Sequence, residues 1–209
     1  MSDTRVSADE ALARLRAGNQ RFVQNKQTEP ALGPSARKEL VAGQNPFAIV
    51  LSCSDSRVPS ELVFDQGLGD LFVIRVAGNV VAPSLVGSAE FAAATFGTRL
   101  VVVMGHSSCG AIKATLDAVR HGVAAPSDNI RDIVERCRAS VETVVSAVGS
   151  GSDERALLHE SIRANVRNSC DHLRHGSRLL EQLIRDDGLK VVGAEYSLET
   201  GKVDFFDER

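Results

Sequence analysis

The sequence predicts an α/β fold: a central, mainly parallel β-sheet of about four parallel strands plus an antiparallel edge strand, flanked by helices and preceded by an N-terminal helical arm. Three observations carry this. Residues 47–52, 71–75 and 100–104 are short apolar runs without polar alternation, the mark of strands buried on both faces. Helical patterns follow the second and third runs, so strand and helix alternate. The chain closes on a strand–turn–strand pattern, which reads as a hairpin whose last strand runs antiparallel to its neighbour.

The elements follow in order. Ser7 stands at an N-cap position with Glu10 three residues on, a capping-box spacing. Leu12, Leu15, Phe22 and Val23 recur behind it at helical intervals, and a connection containing Pro30, Gly33 and Pro34 leads to the first strand. This helix can pack on its own domain or reach across to a partner subunit. Residues 84–96 are helical in pattern after the second strand, and 111–120 after the third. A long helical region, 128–148 and then 153–185, is broken by Gly149-Ser-Gly-Ser152. A fourth strand is expected at 189–196, turning through Glu199-Thr-Gly201 into 203–206. No internal repeat or second domain is visible, so residues 1–209 read as one domain.

Bulk composition narrows the function. A chain of 209 residues with 43% hydrophobic side chains can bury one sizeable core. Lys and Arg number 24 against 27 Asp and Glu, a net charge of −3, which offers no electrostatic case for nucleic acid or an anionic membrane. The longest apolar run, 100–104, is far short of the roughly 20 residues a membrane helix needs. The N-terminus has no apolar export core, so a cytoplasmic location is expected, with the four cysteines as reduced thiols. Cys137 and Cys170 fall in helical runs and read as small buried side chains.

Ligands of open parallel sheets bind beyond the carboxyl ends of the strands. There the first strand delivers Cys53-Ser-Asp55-Ser-Arg57, and the third delivers Gly105-His106-Ser-Ser-Cys109-Gly110. Two thiols and an imidazole on one rim suit zinc, and three protein ligands leave a fourth position for water or substrate. His121, His159, His172 and His175 lie in or beside helical segments without paired spacing, so nothing closes the site as a structural zinc site. Cys109 also opens the helix 111–120, where a helix N-terminus favours thiolate. Asp55 and Arg57, two residues apart, can pair through two parallel hydrogen bonds. Asp55 is equally close to Cys53 in sequence, so its partner is either the metal or Arg57 together with a metal-bound water. A metal-free redox pair of Cys53 and Cys109 is the competing reading; it leaves His106, Asp55 and Arg57 without a task.

The two motifs, with their separation along the chain, resemble the signature pair of the β-class carbonic anhydrases. The likeness runs from the N-terminal helix to the last hairpin and includes residues 64–79. It implies one Zn2+ per subunit on Cys53, His106 and Cys109, and reversible hydration of carbon dioxide to bicarbonate and a proton. The implied mechanism is attack by zinc hydroxide, with the Asp55–Arg57 dyad orienting the nucleophile and Asp55 becoming a fourth zinc ligand in a closed state. It further implies that Gln44 contacts substrate, that Phe72, Ala77 and Phe91 with Val58 nearby line an apolar carbon dioxide pocket, and that Gly110 joins this substrate-binding set. A second subunit completes that pocket in the family, so a homodimer or homotetramer is expected, with residues 1–45 packing on the partner. Family members inhibited by bicarbonate bind it through Trp, Arg and Tyr. Arg75 and Tyr196 stand at matching places here, but Val50 replaces the Trp, so such inhibition is expected to be weak or absent. No proton shuttle is evident; His121 reads as a solvated surface group. Hydrolysis of carbon disulfide or carbonyl sulfide on the same zinc site, and a non-catalytic zinc or thiol sensor, remain as alternatives.

Overall fold

A computed structural model describes residues 5–28, 33–148 and 153–208. The start of the expected arm, Pro30 in its connection and the Gly149-Ser-Gly-Ser152 break lie outside the described residues. One five-stranded sheet carries the fold: β1 (Ala48–Ser52), β2 (Leu71–Arg75), β3 (Leu100–His106), β4 (Lys190–Tyr196) and β5 (Val203–Asp207). The strand order is β2-β1-β3-β4-β5. The first four are mutually parallel and β5 is antiparallel to β4, as the apolar runs and the terminal hairpin predict. Every residue of β1 and β3 is buried, because helices cover both faces of the sheet and no position along these strands meets water.

Register decides what shares a rim. Ser52, the last residue of β1, aligns with Met104 of β3, two residues before His106. The residues that leave β1 therefore emerge beside the end of β3.

Helix α1 (Ala8–Val23) covers one face. The Ser7 hydroxyl accepts the N–H of Glu10 at 3.2 Å, the expected cap. Ala8, Ala11, Leu12 and Leu15 join β1, β3 and β4 in one core. Gly18 allows that contact, since a Cβ there would lie 1.8 Å from the Phe64 carbonyl oxygen. Asn19 fixes the end of the helix: its amide donates to the carbonyls of Val63 and Gly201 and accepts from the Val203 N–H. The other face carries α4 (Pro83–Thr95), α7 (Glu154–His175) and α8 (Arg178–Asp186). Helices α5 (Gly110–His121) and α6 (Asp128–Val148) build a third core that includes Cys53 and Cys109. Cys137 and Cys170 are fully buried thiols, as expected.

Three features depart from the sequence reading. The helical region 153–185 is two helices, because Ser177 accepts the Leu180 N–H and starts a new one. The connection before β1 contains α2 (Pro34–Leu40), which Pro34 begins. The segment after β1 holds a one-turn helix, α3 (Ser60–Val63), and a 3-10 turn, Ala77–Asn79, follows β2. These pieces are too short to show a hydrophobic period. No described helix is long and apolar enough to cross a membrane.

Candidate metal centre

β1 and β3 are adjacent and parallel, so Cys53, which follows β1, lies beside His106, which ends β3. The chain then bends sharply. Ser108 takes φ +57°, and Cys109 returns as the N-cap residue of α5. Ligand atoms of Cys53, His106 and Cys109 all fall within 4.8 Å of one another. All three residues are buried, His106 completely. Among the described residues this is the one such cluster of three or more His, Cys, Asp or Glu donors.

Hydrogen bonding fixes which imidazole nitrogen faces the cluster. His106 Nδ1 donates to the carbonyl oxygen of Ser107 at 3.0 Å, since a carbonyl can only accept. In the neutral imidazole the lone pair then sits on Nε2, which is buried and has no hydrogen-bond partner. A buried acceptor left unpaired costs about 1–3 kcal/mol. A cation between the two sulfurs and Nε2 removes that cost, and two sulfurs with one ring nitrogen form a donor set suited to zinc.

The two sulfurs shift one another in opposite directions. A hydrogen bond from Cys109 lowers the Cys53 thiol, against the effect of burial and with help from the N–H groups of Asp55 and Gly78. The same bond, then burial, pushes Cys109 up, opposed by the Ile112 and Ala111 N–H groups at the start of α5. Metal binding requires both thiols as thiolates, so a divalent ion bound here would release acid.

Asp55 is paired with Arg57 in the structure. Arg57 donates Nε to Asp55 Oδ1 at 2.9 Å, Nη2 to Oδ2 at 2.7 Å, and its backbone N–H to Oδ1 at 2.9 Å. The Arg57 side chain above all holds the carboxyl well below the usual carboxylate range. Asp55 Oδ2 also lies 3.9 Å from His106 Nε2, so the dyad borders the cluster. Arg75 braces this loop by donating to the carbonyls of Cys53 at 3.2 Å and Asp55 at 2.7 Å. Local sequence pattern gave no sign of that bracing.

The remaining expected residues divide by place. Val58 is buried, and its N–H reaches the Asp55 carbonyl at 3.0 Å. Ala77 begins the turn whose next residue, Gly78, donates its N–H to Cys53 Sγ at 3.4 Å. Gly110 starts α5 with open space where a side chain would stand. Ala77 and Gly110 thus adjoin residues of the cluster, while the Val58 side chain belongs to the core under α1. Phe72 and Phe91 instead pair at 6.3 Å between ring centroids and join Phe96 on edge strand β2 and α4, where Phe91 is 54% exposed. Gln44 is exposed before β1, whose five residues span about 17 Å, so it sits at the far end of the sheet from its own Cys53. Val50 is fully buried in the apolar core under α1, and Tyr196 is buried at the end of β4.

Known proteins resemble this chain in sequence and fold. A family model described as carbonic anhydrase matches residues 48–203. The chain is 37% identical over 188 residues to carbonic anhydrase 2 of Mycobacterium tuberculosis, covering 90% of this chain and 87% of that one. It is 40% identical over 190 residues to a carbonic anhydrase of Mycolicibacterium smegmatis, covering 91% and 89%. In fold it is similar to a β-carbonic anhydrase of Sordaria macrospora, described as tetrameric, with a TM-score of 0.75 at 21% identity over 95% of both chains. By family model, by identity along nearly its whole length and by fold, the chain belongs to the β-class carbonic anhydrases.

Proposed function

We propose that this chain catalyses the reversible hydration of carbon dioxide to bicarbonate and a proton, with one zinc ion per subunit on Cys53, His106 and Cys109. The observation that carries the reading is the buried cluster of three donors with an unpartnered Nε2. When bound, zinc supplies Lewis acidity that brings the ionisation of water towards neutral pH.

The protein's own groups do the rest. Cys53 and Cys109 contribute two negative charges, which temper that acidity relative to a site of neutral imidazoles. Arg57 keeps Asp55 ionised and aimed, so Asp55 acts as a fixed acceptor that orients the attacking oxygen. A carboxyl held that low does not retain a proton near neutral pH, which argues against a role as the base. Asp55 is also close enough to the cluster to serve as a fourth ligand in a closed state. Ala77 and Gly110 border the reaction space.

Gln44, Phe72 and Phe91 enter through a second copy of the chain. The place of Gln44 at the far end of β1 from the cluster, and the exposed aromatic group at the β2 edge, support a homodimer or homotetramer. In that assembly the Gln44 amide donates to a substrate oxygen as charge develops. Helix α1 of the N-terminal arm packs on the partner through the side that its own sheet does not cover. His121 ends α5 as an exposed group with no assigned part. Four free thiols suit a reducing, cytoplasmic setting.

Metal content together with hydration rate at pH 7 and pH 9 tests the reading. About one zinc per chain and fast hydration support it. A zinc-free purified chain, or full zinc without hydration, overturns it. Turnover of carbon disulfide or carbonyl sulfide instead of carbon dioxide selects the hydrolase alternative, and zinc without turnover of either selects the sensor.

A further inference from the structure

The 3-10 turn Ala77–Asn79 stands between the cluster and helix α7, and its geometry is held from both sides. Towards the cluster, the Gly78 N–H donates to Cys53 Sγ at 3.4 Å. Towards the helix, the Gly78 carbonyl accepts from Asn165 Nδ2 at 2.8 Å, and the Asn79 carbonyl accepts from Ser169 Oγ at 3.1 Å. Asn165 and Ser169 are four residues apart on α7, hence on one face, and both are buried. Gly78 takes φ +69°, and a Cβ there would lie 3.0 Å from Ala111 Cβ and 3.4 Å from Cys137 Sγ. Its conformation favours glycine, and its surroundings leave little room for a side chain. Asn79 takes φ +43°, also left-handed, so the turn depends on outside support to keep its shape.

We infer that Asn165, assisted by Ser169, is a positioning residue that aims the Gly78 N–H at the Cys53 sulfur and so sets the strength and orientation of that ligand. The inference rests on the zinc reading given above and extends it beyond the residues that touch the metal. An N–H donated to a thiolate draws off part of its charge and fixes the direction of its lone pairs. Partners of this kind contribute about 10–100-fold to metal affinity or activity. Asn165 suits the task because it is a neutral donor, buried beside a helix-held carbonyl, with no acidic group at hydrogen-bond distance in the described contacts.

The test compares three variants of the full chain: Asn165→Leu, which keeps bulk but removes the donor; Ser169→Ala; and Leu173→Ala, which loosens the same helix at a buried site away from the turn. Zinc affinity is read by competition with a chromophoric chelator at fixed pH. The sulfur-to-metal charge-transfer band is read after cobalt substitution, and folding by thermal unfolding. Asn165→Leu is expected to bind zinc about tenfold or more weakly and to shift the cobalt band. Ser169→Ala moves both in the same direction by less. Leu173→Ala lowers the unfolding temperature but leaves affinity within twofold and the band in place. An Asn165→Leu chain with wild-type affinity and spectrum overturns the inference, as does a Leu173→Ala chain that reproduces its changes. If Asn165→Leu does not fold, Ser169→Ala decides, and an unchanged reading there overturns it. A wild-type chain that takes up no zinc at all sinks the proposed function itself, and this inference with it.

Discussion

Asp55 and Arg57 lock each other in place: the carboxylate accepts Nε at 2.9 Å and Nη2 at 2.7 Å, while Oδ2 stays 3.9 Å from the imidazole nitrogen of His106. One oxygen pair is therefore ionised, oriented and beside the metal donors at once. Asp55→Ala is expected to retain zinc and to lose about 10²–10³-fold in hydration rate, the scale of removing one group that stabilises or orients charge at a reacting centre. Stopped-flow hydration alongside metal analysis checks this. Loss of zinc together with activity would assign Asp55 to metal holding instead.

Removing a donor has the opposite signature. Cys53→Ala and His106→Ala each leave two protein ligands in a site that presents three. Both should purify with little zinc and little activity. Stripping the wild-type chain with a strong chelator should abolish hydration and lower thermal stability, by about 2.7 kcal/mol when compared with free zinc at a hundred times its dissociation constant. Added zinc should restore both.

Gln44 offers a test of the assembly. It lies at the far end of β1 from its own Cys53, so the proposed role requires a neighbour's cluster. Gln44→Ala and Cys53→Ala chains, each weakly active alone, should regain activity when unfolded together and refolded. The mixed dimer then holds one site with an intact cluster and an intact Gln44. No recovery in a mixture shown to contain mixed dimers would place the glutamine elsewhere.

Val50 bears on regulation. It is fully buried in the apolar core under α1, and Arg75 already donates to the carbonyls of Cys53 and Asp55. Hydration measured from pH 7 to pH 9 with and without added bicarbonate should show no cooperative inhibition beyond product competition. A steep loss at lower pH that bicarbonate deepens would contradict this.

Stability should depend on pH through Asp65. Burial raises its carboxyl, but the Arg21 side chain and the Thr28 N–H and hydroxyl outweigh that, so the folded value is lowered. A lowered carboxyl stabilises the fold above its unfolded value of about 3.9, and that stabilisation is lost as pH falls through the folded value. Asp65→Asn should cost about 1–3 kcal/mol at pH 7 by urea unfolding. The gap to wild type should narrow below about pH 4. An equal gap at pH 7 and pH 3 would show that the contribution is not ionic.

The sequence by itself determined the strand content, the parallel sheet and the identity of the cluster. Unbroken runs such as 100–104 are stable only with both faces covered, and a parallel sheet sends its strand ends to one rim. That is why Cys53, His106 and Cys109 could be read together from two loops. What only the tertiary structure decided lies in hydrogen bonds between segments far apart in the chain. Arg75 bracing the Cys53 loop, Asn165 holding Gly78, and the lone pair of His106 turned towards the sulfurs leave no local periodicity or spacing. The same holds for Gln44, which resemblance linked to substrate while the length of β1 keeps it from its own cluster. Local pattern reports which face of an element is buried; which polar atoms meet across the fold depends on packing, and packing exists only once the whole chain has closed on itself.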